Sequence, residues 1–197
     1  MERRSKKLHR GKNQTTRTLK NTSRNRTKSR KTTNKNRLNK THQGGQRTPK
    51  LVLDSSILVK LVTNEPNSKQ ARTTITALIK KGYALYTVDI ALAESLNAIW
   101  KHTKIQKDLK PEETKPITQD LIKIYDKLNI ITTRELTEEA TNIALAQNIT
   151  IYDALYIAGT QKLNAILYTA DQKLHNIANK ITHSKLLKTL KKESFPC

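Results

Sequence analysis

Cysteine is almost absent: the only one among 197 residues is the last, Cys197, which leaves no intrachain disulfide and no cysteine-based metal site. No run of about 18 apolar residues occurs, so no membrane-spanning helix is expected. The basic N-terminus lacks the apolar stretch of a secretory signal. A reducing, cytoplasmic setting with no membrane partner is the expectation. The five histidines (His9, His42, His102, His175, His183) have no ligand-like spacing, and the last two read as solvated. No glycine-rich phosphate loop occurs, and nothing pairs a Ser or Cys with a His as a nucleophile. Acid is scarce: 16 Asp and Glu stand against 38 Lys and Arg, a formal net charge of +22.

That charge is uneven. Residues 1–50 carry a positive group every two to four positions, one acid (Glu2) and only four apolar residues. Such a segment cannot bury enough surface to offset the entropy of ordering, so 1–50 is expected to be a disordered, low-complexity tail. Three readings of it stay open. It is an RNA-contacting arm working by counterion release, or a merely solvated tail, or an artefact of start-site choice, with translation beginning at a non-ATG codon near Lys50–Val52. Folded sequence is expected over 51–183, followed by a basic extension over 184–197.

From Leu51 the pattern alternates. Leu51-Val52-Leu53 reads as a buried strand. A helix follows through Ile57, Leu58, Leu61 and Val62 and stops before Pro66. A second helix covers 68–80, with Gly82 as its stop. Strands at 84–87, 130–132 and 165–169 alternate with helices capped by Asp89, opened by Pro111, opened by Thr137-Glu138-Glu139, and spanning 153–163 and 171–180. Strand–helix alternation implies an α/β sandwich on a mostly parallel sheet.

Ligands of such sheets bind beyond the carboxyl ends of the strands. Asp54 directly follows the first strand, and Asp171 follows the fourth. Glu94 lies in an apolar helical stretch, and Asp153 opens a helix between Tyr152 and Ala154-Leu155. Isolated carboxylates in apolar surroundings are expensive. A hard divalent cation, Mg²⁺ or Mn²⁺, accounts for a cluster of them. Each acid also has a plainer reading. Asp54, Asp153 and Asp171 are each placed to cap a helix. Glu94 is harder to explain that way, because caps do not sit in mid-helix. Glu112, Glu113, Glu138 and Glu139 read as first-turn acids that complement the helix dipole.

Four segments resemble, in order, the motifs of PIN-domain ribonucleases of the VapC toxin type. They are Asp54-Ser55-Ser56-Ile57-Leu58-Val59-Lys60-Leu61 followed by Glu65-Pro66, then Ala93-Glu94-Ser95-Leu96-Asn97-Ala98. Tyr152-Asp153-Ala154-Leu155-Tyr156-Ile157-Ala158 and Leu167-Tyr168-Thr169-Ala170-Asp171-Gln172-Lys173-Leu174 complete the set. The resemblance spans about 51–180 and implies a PIN-like three-layer sandwich. It further implies a metal-dependent endoribonuclease cutting single-stranded RNA. Asp54 and Asp153 are then the principal ligands of Mg²⁺ or Mn²⁺, with Asp171 and Glu94 completing the catalytic cluster. Ser56, Asn97 and Thr169 are candidates to orient these acids or to position phosphate. Lys60 is either a phosphate-steering group or a solvated lysine. The implied partners are RNA and an antitoxin protein; a homodimeric state stays open. Two alternatives remain beside the toxin: an endonuclease of rRNA processing or RNA quality control, and a non-catalytic RNA-binding protein on the same fold.

Overall fold

The computed structural model describes residues 48–188. The basic segment up to residue 47 and the chain from residue 189 lie outside the described residues, and so do the readings placed on them.

Five parallel strands form one sheet in the order β3-β2-β1-β4-β5. They are β1 (Lys50–Leu53), β2 (Ala84–Val88), β3 (Asn129–Ile131), β4 (Ile166–Thr169) and β5 (Ser184–Leu186). Leu51, Val52 and Leu53 of the central strand are all fully buried. Successive strand residues face opposite sides, so both faces of the sheet are covered, as a purely parallel sheet requires. Helices supply the cover: α1 (Ser55–Val62), α2 (Ser68–Lys80), α3 (Ala91–Lys101), α4 (Pro111–Tyr125), α5 (Thr133–Gln147), α6 (Ile151–Leu163) and α7 (Gln172–Ile181). This is the expected PIN-like sandwich around a parallel sheet.

α6 is the helix laid most directly on the sheet, against β1, β2 and β4. Seven consecutive residues, Ala154 to Thr160, are buried, so it has no solvated stripe in its middle. Gly159 lets it come close: a Cβ there would stand 3.1 Å from Ile131 Cδ1. Gly82, with φ of 80°, ends α2 as expected, since a left-handed residue past a helix end suits glycine.

The differences from expectation are local. α5 starts at Thr133, not at Thr137, because Thr132 and Glu135 form a reciprocal capping box. Glu138 and Glu139 therefore lie beyond its first turn. Asp89 does not cap α3, whose N-cap position is held by Ile90. Its carboxylate instead accepts from Thr133 N at 2.8 Å and from the Thr133 hydroxyl, tying the end of β2 to the start of α5. β5 is a fifth strand inside the stretch read as a basic extension; Leu187 N donates to Thr169 O at 2.8 Å just beyond it. His175 is not simply solvated: it is half-buried, and its Nδ1 lies 2.9 Å from Ser184 Oγ.

Candidate active site

β1 and β4 run side by side, with Leu53 opposite Tyr168. Asp54 N donates to Tyr168 O at 3.0 Å, which carries the pairing one step past the strand end. That step sets Asp54 beside Thr169 at the carboxyl rim of the sheet.

Two hydroxyls there have a forced polarity. Ala170 N donates to Ser56 Oγ at 2.9 Å, and Asp171 N donates to Thr169 Oγ1 at 2.9 Å. With their lone pairs engaged by backbone N–H groups, both hydroxyl protons turn to Asp54 Oδ2. The distances are 2.5 Å from Ser56 Oγ and 2.6 Å from Thr169 Oγ1. Asp54 stands at the N-cap position of α1 but makes no side-chain capping bond. The capping alternative for Asp54 therefore fails. Asp54 as a whole residue is only 5 % exposed. Burial pushes its pKa up, the two hydroxyls pull it down, and nearby Asp171 and Asp153 push it up again.

Glu94 lies in the first turn of α3, nearer the helix start than the sequence suggested, because α3 begins only at Ala91. Its Oε2 accepts from the Tyr156 phenol at 2.5 Å. The same phenol oxygen accepts from Ser55 N at 3.3 Å. Tyr156 is thus a clasp between the Asp54 loop and Glu94. Burial, then the charges of Asp54 and Glu94, hold its own pKa well above the usual tyrosine value, so it stays a donor. Burial likewise raises Glu94, against the pull of the Tyr156 bond and with Asp54 and Asp153 adding to the rise. Reading the sequence alone assigned Tyr156 no role. The available signal was its spacing: three residues after Asp153, on the same helical face.

Asp153 is not an N-cap either. Thr150 caps α6, accepting from Asp153 N at 3.2 Å, which puts Asp153 in the first turn. Burial raises its pKa first; the bond to Thr150 lowers it and Asp171 raises it. Asp171 does cap: its Oδ1 accepts from Lys173 N at 2.7 Å and Leu174 N at 3.0 Å at the start of α7. Asn97 is exposed and makes no hydrogen bond among the described residues to any of the four acids. Lys60 is not solvated; its Nζ is pinned by Glu65 at 3.1 Å and by Pro66 O at 3.0 Å.

Among the described residues, no ion pair includes any of the four acids. Their mutual repulsion is felt in the raised pKa values of Asp54, Glu94 and Asp153. Nor, among the described residues, do three His, Cys, Asp or Glu side chains form a group disposed to hold a metal ion as they stand. Each acid answers to its own local donors and the set rings the rim. An all-oxygen, uncompensated rim still fits Mg²⁺, which keeps several waters and is commonly bound through only one or two carboxylates. No helix among the described residues is long and apolar enough to cross a membrane.

Comparison with known proteins agrees with this fold. Residues 51–180 match the PIN domain family. The chain is 30% identical over 125 residues to Ribonuclease VapC3 of Pyrobaculum aerophilum, an overlap of 64% of this chain and 92% of that one. The crystal structure of PAE2754 from Pyrobaculum aerophilum superposes with a TM-score of 0.53 at 20% identity, covering 71% of this chain and 92% of that one. A toxin–antitoxin complex from Klebsiella pneumoniae gives 0.51 at 17% identity, covering 71% and 99%. These last two likenesses are of fold. With its four acid-bearing motifs set in order around the rim of a parallel sheet, the chain belongs to the PIN-domain family, among the proteins of the VapC type.

Proposed function

We propose that the chain is an endoribonuclease that hydrolyses RNA phosphodiester bonds with the help of Mg²⁺ or Mn²⁺, and that it is the toxin of a toxin–antitoxin pair. The observation that carries this is the acid rim: Asp54, Glu94, Asp153 and Asp171 share one end of the sheet with no ion-paired cation among the described residues. Such a rim repels RNA unless a cation intervenes. Asp54 and Asp153 would hold that cation, with Asp171 and Glu94 completing its surroundings. When bound, it supplies charge neutralisation at the phosphate and a more acidic water.

The chain's own groups do the rest. Ser56 and Thr169 fix Asp54 in one orientation as an acceptor. Tyr156 holds Glu94 by one oxygen and keeps its own proton. Glu94, made more basic by burial, takes the proton of the attacking water. The relative named a ribonuclease and the toxin–antitoxin neighbour support the substrate class and an antitoxin partner.

The test is incubation of the full chain with pooled cellular RNA in Mg²⁺, Mn²⁺ or EDTA, followed by mapping of product ends. Discrete cleavage that needs the divalent ion is expected. Cleavage that persists in excess EDTA would sink the metal-dependent reading.

A further inference from the structure

Outside the acid rim, the sharpest unassigned feature is the chain reversal after α3. The helix widens into a π-helical turn over His102–Gln106, a geometry that gathers at functional sites. Lys107 then adopts a left-handed conformation with φ of 58°. The reversal returns Asp108 to His102, whose Nδ1 lies 3.0 and 3.1 Å from the two carboxylate oxygens. Thr103 and Thr114, 3.0 Å apart through their hydroxyls, fasten the turn to α4.

This arrangement spends one ring nitrogen and leaves the other. A carboxylate on Nδ1 requires the proton there. Nε2 makes no hydrogen bond among the described residues, although the side chain is only 15 % exposed. His102 separates two hollows. One is shared with Asp108. The other, about 350 Å³, is lined by Ser55, Ser56, Lys60 and Asp171 and runs beside the acid rim. A phosphate entering this second groove meets carboxylates and needs a donor. Lys60, the other basic group there, is committed to Glu65 and Pro66 O.

We infer that His102 contacts the substrate, donating Nε2–H to a phosphate oxygen of the RNA next to the scissile bond, with Asp108 as the positioning residue that holds the ring. In that complex the imidazole carries both protons, one toward Asp108 and one toward the phosphate. The inference rests on RNA being the ligand, as proposed above, and adds a contact outside the family's four acids.

Amide isosteres separate this role from a structural one. In Asn the side-chain nitrogen falls near the position of Nδ1; in Gln it falls near Nε2. His102→Asn therefore keeps the clip to Asp108 and loses the donor to the groove, and His102→Gln does the reverse. Both are made in the full chain carrying Asp153→Asn to prevent cleavage. Binding of a fluorescein-labelled single-stranded RNA hexanucleotide is followed by anisotropy, at about 0.3 M salt to weaken sequence-independent contacts of the basic N-terminal segment. His102→Asn should weaken binding by about tenfold, the loss of one charge-assisted hydrogen bond. His102→Gln, which keeps the donor and gives up only the hold of Asp108, should lose clearly less, about threefold.

The reverse order, an unchanged Asn variant, equal losses accompanied by a common fall in melting temperature, or a parent that does not bind the RNA would each overturn the assignment. The nuclease reading fails separately. If the His102 variants behave as expected while the unmutated chain cuts no RNA in Mg²⁺ or Mn²⁺, the contact stands and the nuclease does not. If cleavage is lost in Asp54→Asn but both His102 variants bind as the parent does, the nuclease stands and the contact falls.

Discussion

The Tyr156 phenol donates to Glu94 Oε2 at 2.5 Å while its oxygen accepts from Ser55 N at 3.3 Å. One hydroxyl on α6 thereby sets both the acid on α3 and the backbone beside Asp54. Tyr156→Phe removes only that oxygen and leaves the ring in the core. Loss of a partner that orients an active acid typically costs about 10- to 100-fold in activity or metal affinity. RNA cleavage should fall by about that factor, with more Mg²⁺ needed for half-maximal rate. Wild-type kinetics at every Mg²⁺ concentration would show that the clasp has no bearing on the site.

Partial burial of His175, which touches Ser184 of β5, makes this edge of the sheet sensitive to acid. Burial lowers the His175 pKa from the usual 6.5, and Lys188 and Lys185 lower it further. The unfolded chain therefore binds a proton here before the folded chain does. Stability from this group is complete above about pH 6.5 and is lost as pH falls from there through the folded value. Amide exchange at Leu187, whose N–H bonds to Thr169 O, should quicken on acidification beyond the intrinsic pH dependence. His175→Gln should flatten that response; an equally steep response in the variant would remove His175 as its cause.

The parts of this molecule readable from sequence are those whose physics is local. Leu51-Val52-Leu53 is a run that only a sheet covered on both faces can use. The acids that follow β1 and β4 fall at a rim set by strand direction. Boundaries were lost where a polar residue serves a helix that starts earlier than its apolar pattern. Thr132 and Thr150 cap α5 and α6, although the first read as a strand end and the second drew no notice. The same shift turned Asp153 from a candidate cap into a first-turn acid. β5 escaped because Ser184-Lys185-Leu186 has little strand character and is held by pairing with β4. The contact between Tyr156 and Glu94 joins residues 62 apart, and no spacing rule reaches that far. The stretch after α3 carries no apolar periodicity that would mark it, yet it forms the turn that pairs His102 with Asp108.

Thr169 is completely buried, and its hydroxyl both donates to Asp54 and accepts from Asp171 N. Thr169→Val keeps the shape but takes the acceptor from Asp171 N and removes one of the two hydroxyl donors to Asp54 Oδ2. Loss of one ordinary hydrogen bond costs about 0.5–1.5 kcal/mol. The variant should melt several degrees lower and cleave RNA poorly, and Thr169→Ser should restore both properties. If Thr169→Val retains the wild-type melting temperature and rate, the forced polarity of this pair carries no weight.

Asp54→Asn and Asp153→Asn separate a functional acid from a structural one. Both acids have folded-state pKa values raised chiefly by burial. The sign follows directly: the folded state favours the protonated form, so above the folded pKa the ionised carboxylate destabilises the fold, and stability is gained as pH falls through that value. Asn is neutral and keeps an oxygen to accept from Ser56 and Thr169, or from Thr150 in the other case. In EDTA each variant should melt at or above the wild-type temperature. RNA cleavage should nevertheless be abolished, because the charge that would hold a divalent cation is gone. Added Mg²⁺ or Mn²⁺ should raise the wild-type melting temperature by mass action on the folded state, and the rise should shrink in both variants. A structural acid predicts the opposite: lower melting in EDTA and cleavage that tracks the folded fraction. Calorimetry and a cleavage assay on the same three proteins decide between them, and variants that stay folded and active would remove Asp54 and Asp153 from the mechanism.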